Sequence, residues 1–329
     1  MKEILAHLFE YKTFTKEEAY DILTNIATGK YDSHQIAAFM TTYGMRSIRV
    51  EELSGFRNAM YDLCQKVEFP GYDLIDLCGT GGDGKNTFNI STLASFVVAG
   101  AGYHVAKHGN VGVSSGCGSS NVMEYLGYTF TNDHDELQRQ LDEAHICFLH
   151  APLFHPAMKT VAPIRRALAV KTFFNMLGPL TNPANPKFQA VGVFSLELAR
   201  LYNYLYQQTN KQYSVIHALD GYDEISLTGD FKIIDNQGEK YMKVEELGFS
   251  PLAPTDLAGG NTVEEAAAIF RRIISGEGND KQNNVVLTNA AFAIKTIHPE
   301  KTFGDCYYEA ESSLLGKKAL QSFHKLISA

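Results

Sequence analysis

Asp76-Leu77-Cys78-Gly79-Thr80-Gly81-Gly82-Asp83-Gly84-Lys85-Asn86-Thr87-Phe88-Asn89-Ile90-Ser91-Thr92 decides the reading of this chain, because it joins two apolar runs through a glycine loop that carries a carboxylate. The run before it, Leu74 to Cys78, is short enough for a buried strand. Leu93 to Ala101 reads as a helix with Ser91 or Thr92 near its cap. Backbone amides of such a loop point into one concavity, and the start of the helix adds the positive end of its dipole, so an anion fits. The spacing is neither Gly-x-Gly-x-x-Gly nor Gly-x-x-x-x-Gly-Lys-Ser/Thr, and both the dinucleotide and the nucleoside-triphosphate readings lose support. Asp83 narrows the choice. A carboxylate beside phosphate-binding amides repels the ligand unless a metal or a sugar hydroxyl stands between them, which points to a magnesium diphosphate or a ribose.

A second loop, Ala106 to Asn121, holds Lys107, four glycines and four serines between an apolar run and a helical stretch. Lys107 reads as a point charge for phosphate, with serines and glycine amides as neutral donors. Farther on, Arg165 offers a bidentate fork for a carboxylate. Asp223 and Glu224 follow the apolar run Tyr213 to Leu219, as adjacent, solvent-facing acids at the end of a strand where a hard metal can bind. His-Glu-x-x-His is absent from the sequence, which removes the signature of zinc hydrolysis.

Composition agrees with a two-domain globular protein: 329 residues, 45% hydrophobic and 20% charged, are enough for a large core. A net charge of −8 without a basic run disfavours a nucleic-acid groove or an anionic membrane surface. Five scattered cysteines with no Cys-x-x-Cys pair fit reduced thiols in the cytoplasm, and the N-terminus shows no signal peptide or membrane span.

The first part of the chain is helical. Thr15-Lys16-Glu17-Glu18 has the form of a capping box, followed by Ala19, Ile22, Leu23 and Ile26 at helical spacing. Asp32 starts a second helix with Ile36, Phe39, Met40 and Tyr43, and a third runs from about Val50 to Cys64. Such stripes are ordinarily core, yet three small helices with so much apolar surface can also build a subunit interface, and a homodimer through them is expected. From Asp73 onward strands alternate with helices, giving an α/β domain with a mostly parallel sheet. Segments 230–261 and 276–284 read as hairpin and loop excursions.

Gly79-Thr80-Gly81-Gly82-Asp83, Asn89-Ile90-Ser91-Thr92, Lys107-His108-Gly109-Asn110, His155-Pro156-Ala157-Met158, Arg165-Arg166, Asn175 to Pro183 and Asp223-Glu224 occur in one order along the chain. In these motifs the sequence resembles the anthranilate phosphoribosyltransferases of tryptophan biosynthesis over nearly its whole length. The resemblance implies transfer of 5-phosphoribose from phosphoribosyl diphosphate (PRPP) to the amino group of anthranilate, with Mg2+. It assigns PRPP binding to Gly79, Gly82, Asp83, Thr87, Asn89, Ile90, Ser91, Thr92, Lys107, His108, Gly109, Asn110, Val111, Gly112, Val113, Ser114, Ser115 and Ser119. Anthranilate contacts fall on Gly79, Asn110 and Arg165, and metal contacts on Ser91, Asp223 and Glu224. Val111 stands where the family often has arginine, and Ser120-Asn121 where it often has an alanine-aspartate pair; the glycine and serine framework is intact. An aromatic amine is nucleophilic without prior deprotonation, so no strong base is needed, and His108 either accepts the proton after attack or holds its loop.

The resemblance also implies a helical domain, 1–68, completed by about 168–185, an α/β domain of 69–167 and 186–329, and an active site in the cleft between them. Two other functions share this architecture. A pyrimidine nucleoside phosphorylase would need base-recognising residues in place of Arg165 and Asn110, and a nucleic-acid-binding relative would need a basic face.

Overall fold

The computed structural model describes residues 1–111 and 117–328. The chain opens with helices α1 (Lys2–Phe9), α2 (Lys16–Ala27), α3 (Ser33–Met45) and α4 (Val50–Asp62). Next come β1 (Leu74–Gly79), α5 (Ile90–Gly100), β2 (His104–Gly109), α6 (Ser119–Tyr125), α7 (His134–Ala144) and β3 (Ile146–His150). Two further helices, α8 (Ala151–Phe154) and α9 (Met158–Leu168), precede β4 (Phe188–Gly192), α10 (Leu196–Gln207), β5 (Gln212–Ala218), β6 (Phe231–Asp235) and β7 (Gly238–Met242). The chain closes with α11 (Val263–Ile274), α12 (Asp280–Ile297), α13 (Phe303–Leu315) and α14 (Lys318–Ile327). Two compact units result: Met1–Val67 with Ala151–Pro183, and Glu68–His150 with Ala184–Ala329.

In the helical unit the local signals act where they stand. The Thr15 hydroxyl accepts from the Glu18 amide at 3.2 Å and the Glu18 carboxylate from the Thr15 amide at 2.9 Å, so α2 starts with two of its orphan donors satisfied. Ile22, Leu23 and Ile26 of α2, Ile36, Phe39 and Met40 of α3, and Leu53, Phe56 and Met60 of α4 are all buried within this unit. These stripes are core. Gly55 brings α4 onto α2, since a Cβ there would collide with the Lys16 carbonyl. Phe173 stacks on Phe56 with ring centroids 4.7 Å apart.

The return to the helical unit begins at Ala151, not near residue 168 as the sequence reading has it. The reason is packing. Val161 is buried, the Gln65 amide donates to the Phe154 carbonyl at 2.7 Å, and the Thr160 hydroxyl donates to the Ala27 carbonyl at 3.2 Å. The whole stretch 151–167 therefore belongs with α1 to α4.

The second unit is built on a sheet of order β3-β2-β1-β4-β5-β6-β7, parallel from β3 through β5 and antiparallel at β6 and β7. Leaving β1, the chain winds outward through β2 and β3, then crosses back to the other side of β1 with β4 and β5. That reversal leaves a crevice beyond the carboxyl ends of β1 and β4, the usual ligand position in an open α/β sheet. Helices α5 and α12 are buried through most of their lengths over this sheet, and Phe96 of α5 lies among Phe148, Phe270 and Phe323. Residues 276–284, read as a loop, contain the start of α12, with the Asn279 side chain accepting from the Gln282 amide at 2.9 Å.

Candidate active site

The glycine loop leaves β1 at the crevice, and two glycines let another segment cross there. A Cβ at Gly79 would collide with the Asp223 carboxylate, and one at Gly192, the end of β4, with the Asp223 carbonyl. The loop after β5 thereby lays Asp223 across the ends of both strands. Its carboxylate accepts from the Gly81 amide at 2.6 Å, where Gly81 sits at φ +67°, a backbone state glycine adopts without strain. Glu224 turns the other way, and Oε1 accepts from the Ser91 amide at 2.9 Å.

That bond changes the expected role of the helix start. Helix α5 begins at Ile90, its first turn has no side-chain cap of its own, and Glu224, 133 residues away, takes the Ser91 amide. A carboxylate thus occupies part of the anion site expected for phosphate.

Asp223 is only 9% exposed, so the expectation of solvent-facing acids fails for it. Burial first, then the negative charge of Asp83, pushes its carboxyl up to about 7, against the lowering effect of the Gly81 amide. Burial and the neighbouring Asp223 likewise hold the Glu224 carboxyl well above the ordinary range. Three hard-oxygen acids are therefore held together with three backbone amides, those of Gly81, Lys85 and Ser91, and little positive charge to relieve them.

Lys107 does not stand in the crevice as a point charge. It is 1% exposed and its Nζ donates to the Leu77 carbonyl at 2.6 Å, while burial pulls its pKa down against the attraction of Asp76, Cys78 and Glu224. Asp76 is buried beside it, accepting from the His108 amide at 3.2 Å and from Gln189 Nε2 at 3.2 Å. This polar layer under the loops was legible in one respect: Asp76 is a charge inside an apolar strand, which burial tolerates only with partners. His108 is nearly buried, and the side chains of Ile90 and Thr92 are buried in α5.

Around these residues the loops strap one another. Thr87 bridges to Ala258, and the Phe88 amide donates to the Leu257 carbonyl at 3.0 Å. Asp83 Oδ1 accepts from the Lys85 amide at 3.0 Å, and Asn89 Nδ2 donates to the Cys117 carbonyl at 3.3 Å. The Asn110 carbonyl accepts from the Ser120 amide and the Ser119 hydroxyl, while Gly109 and Ser119 lie within reach of each other. Val111 is exposed, and Asn121 accepts from the Gly118 amide at the start of α6, a task an aspartate could also perform. Gly112, Val113, Ser114 and Ser115 lie outside the described residues.

Asn289 of α12 was missed from the sequence. Its Oδ1 accepts from the Ile225 amide at 3.1 Å and its Nδ2 donates to the Ile225 carbonyl at 2.9 Å, which pins the residue next to Glu224. An asparagine within a helical run gives no local sign of this contact.

Arg165 belongs to the helical unit, near the end of α9. It is half-buried, donates to Asn175 Oδ1 at 3.3 Å and lies 5.7 Å from the centre of the Phe174 ring. Burial pulls its pKa down, and among the described residues no carboxylate pairs with it. A cation in this condition is stabilised by an incoming anion.

Among the described residues no three His, Cys, Asp or Glu side chains form a preformed metal cage. The oxygen donors of Asp83, Asp223, Glu224 and Ser91 nevertheless suit magnesium, which takes few protein carboxylates, keeps waters and binds substrate phosphates.

Residues 71–319 match the α/β domain of the glycosyl transferase family, and residues 2–64 match its helical bundle domain. Anthranilate phosphoribosyltransferases of Christiangramia forsetii and Flavobacterium johnsoniae are each 57% identical to this chain, covering 99% of it and 98% of their own lengths. The solved anthranilate phosphoribosyltransferase of Thermus thermophilus matches with a TM-score of 0.91 and 30% identity over 98% of both chains. The Saccharomyces cerevisiae enzyme in complex with PRPP and Mg matches with a TM-score of 0.91 and 25% identity, over 98% of this chain and 96% of that one. With its crevice at the β1/β4 reversal and likeness along almost its full length, this chain belongs to the anthranilate phosphoribosyltransferase family.

Proposed function

We propose that this chain transfers the 5-phosphoribosyl group of PRPP to the amino nitrogen of anthranilate in tryptophan biosynthesis, giving N-(5-phosphoribosyl)anthranilate and diphosphate. The observation that carries this reading is the set of under-compensated acids, Asp83, Asp223 and Glu224, held at the phosphate-type glycine loop. In the reaction a C–N bond forms at the anomeric carbon, the C–O bond to diphosphate breaks, and its electron pair leaves with the diphosphate.

Bound magnesium would neutralise charge building on that leaving group. Ser91, Asp223 and Glu224 are the residues proposed to hold it. Amides of the glycine loop, with the assigned residues from Gly79 to Thr92 and Lys107 to Ser119, orient PRPP. For Ile90, Thr92 and Lys107 the burial of the side chains leaves the role to backbone or to support of the loop. Arg165 receives the carboxylate of anthranilate, with Asn110 and Gly79 beside the acceptor. His108 holds its loop, and its ring is the proposed acceptor of the proton released after attack.

Assembly as a homodimer through the N-terminal helices is part of the same reading. Ile36 and Met40 are core, so its face is better sought at the exposed Phe9, Tyr11 and Met45. Light scattering should give a dimer that Met45→Glu weakens; a wild-type monomer at micromolar concentration removes the premise. Five free cysteines fit the cytoplasmic setting proposed for the enzyme. Among the described residues no helix is long and apolar enough to cross a membrane.

The function is tested by diphosphate release from PRPP. Release that requires added anthranilate is the expected result. Phosphorolysis of thymidine or uridine, with no response to anthranilate, would transfer the chain to the pyrimidine nucleoside phosphorylases.

A further inference from the structure

A cavity of about 400 Å³ lies at the amino end of β5, the far end of that strand from Asp223. It is enclosed by the start of β5, the β6–β7 hairpin and the last turns of α12, all within the α/β unit. None of its lining residues belongs to the site described above. Its volume is within the range of small-molecule sites.

Two features define what it can take. The first is an apolar floor of Ile233, Phe292 and Phe303. Ser214 and Thr296, two hydroxyls of the lining, bond to each other at 2.7 Å, and Thr296 also donates to the Phe292 carbonyl. The floor therefore asks for an apolar body. The second feature is the charge of the lining. Lys211, Lys240 and Lys295 line it with one carboxylate, Asp235, two net positive charges in a chain whose own net charge is −8, and Lys211 Nζ donates to the Pro186 carbonyl. Asp235 is already engaged, by Lys240 at 3.1 Å and by the Gln237 amide at 2.7 Å. Among the described residues Lys295 Nζ meets neutral oxygens, the carbonyls of Pro299 at 3.3 Å and Lys301 at 2.5 Å. Cations beside an apolar surface select an anion whose remaining bulk is hydrophobic.

We propose that this cavity is a second ligand site, for a small amphipathic carboxylate whose ring or chain rests on Phe292 and Ile233 and whose carboxylate meets Lys295 and Lys211. The site is independent of the acceptor arginine and of the PRPP loops, so it stands or falls apart from the proposed reaction.

Calorimetric titration of the full chain with 1-naphthoate tests this, with 1-naphthalenemethanol as the neutral counterpart. Arg165→Ala, which lacks the acceptor arginine, should still bind 1-naphthoate with a Kd below about 1 mM, and the alcohol at least about tenfold more weakly. Adding Lys211→Met and Lys295→Met to Arg165→Ala should lower affinity for the acid at least about tenfold and change that for the alcohol little. The alcohol comparison in Arg165→Ala, where the acceptor arginine is absent, decides the matter even if the variant carrying the two lysine substitutions does not fold. Binding lost in Arg165→Ala would place the acid at the acceptor site. That result, equal affinity for acid and alcohol, or no heat up to about 1 mM would overturn the proposal.

Discussion

Glu52 of the helical unit and Asp223 of the α/β unit are both buried carboxylates, and the two are treated in opposite ways. Glu52, in the helical unit, is fully buried and receives the Phe14 amide at 3.2 Å, the Arg49 amide at 2.9 Å, the Tyr43 hydroxyl at 3.1 Å and both ends of the Arg46 guanidinium. Every lone pair has a donor and the charge has a counter-charge. Asp223 and Glu224, in the α/β unit, have chiefly the Gly81 and Ser91 amides, and they repel each other and Asp83. A compensated buried acid locks a fold, whereas an under-compensated cluster stores a demand for a cation.

The contrast breaks first at Glu52. Glu52→Ala should cost about 3–5 kcal/mol of stability, because it strands the Arg46 charge in a partly buried position. Urea denaturation checks this, and a loss below about 1 kcal/mol would make Glu52 an ordinary surface-type ion pair.

Asp223→Asn should go the other way. Its carboxyl is raised to about 7 from an ordinary 3.8, so between those pH values the folded chain keeps a proton that the unfolded chain has lost. Stability from this site is full below the unfolded value, falls as pH rises toward about 7 and is level beyond. In metal-free buffer the variant should therefore match wild type near pH 4 and exceed it near pH 8. A variant less stable than wild type near pH 8 would show that Asp223 is compensated after all.

Arg165 is the cationic counterpart, half-buried with no acid paired to it among the described residues. Arg165→Ala should raise the KM for anthranilate and lower kcat/KM by about 1.5–3 kcal/mol, with PRPP affinity nearly unchanged. Steady-state kinetics in each substrate distinguish this from a folding defect. The smallest effect belongs to the purely local contact: Thr15→Ala should cost about 1 kcal/mol of stability and leave turnover alone.

The same contrast explains what the sequence made legible. Thr15 and Glu18 are three residues apart, so the start of α2 could be read directly, and the α2 to α4 stripes follow from helical period alone. Strand β1, the glycine loop and the acids after β5 were legible for the same reason. The cap of α5 was not, because Glu224 arrives from 133 residues away, and neither was the Asn289 clamp. Lys107 was misread since a lysine in a glycine-serine loop suggests solvent, whereas pairing of β2 between β1 and β3 buries it. Polar composition hid the start of α12, and nothing local marks Ala151 as the point of return to the helical unit.

The central claim is that Asp223 and Glu224 act through a cation and not as proton carriers. A magnesium titration of anthranilate-dependent turnover, in wild type and in the Asp223→Asn, Glu224→Gln double variant, tests it most directly. Turnover should fall by about 100-fold or more in the variant, with the half-saturating magnesium concentration shifted upward and the shape of the pH profile kept. A variant with the wild-type magnesium curve that has lost one limb of the pH profile would contradict it.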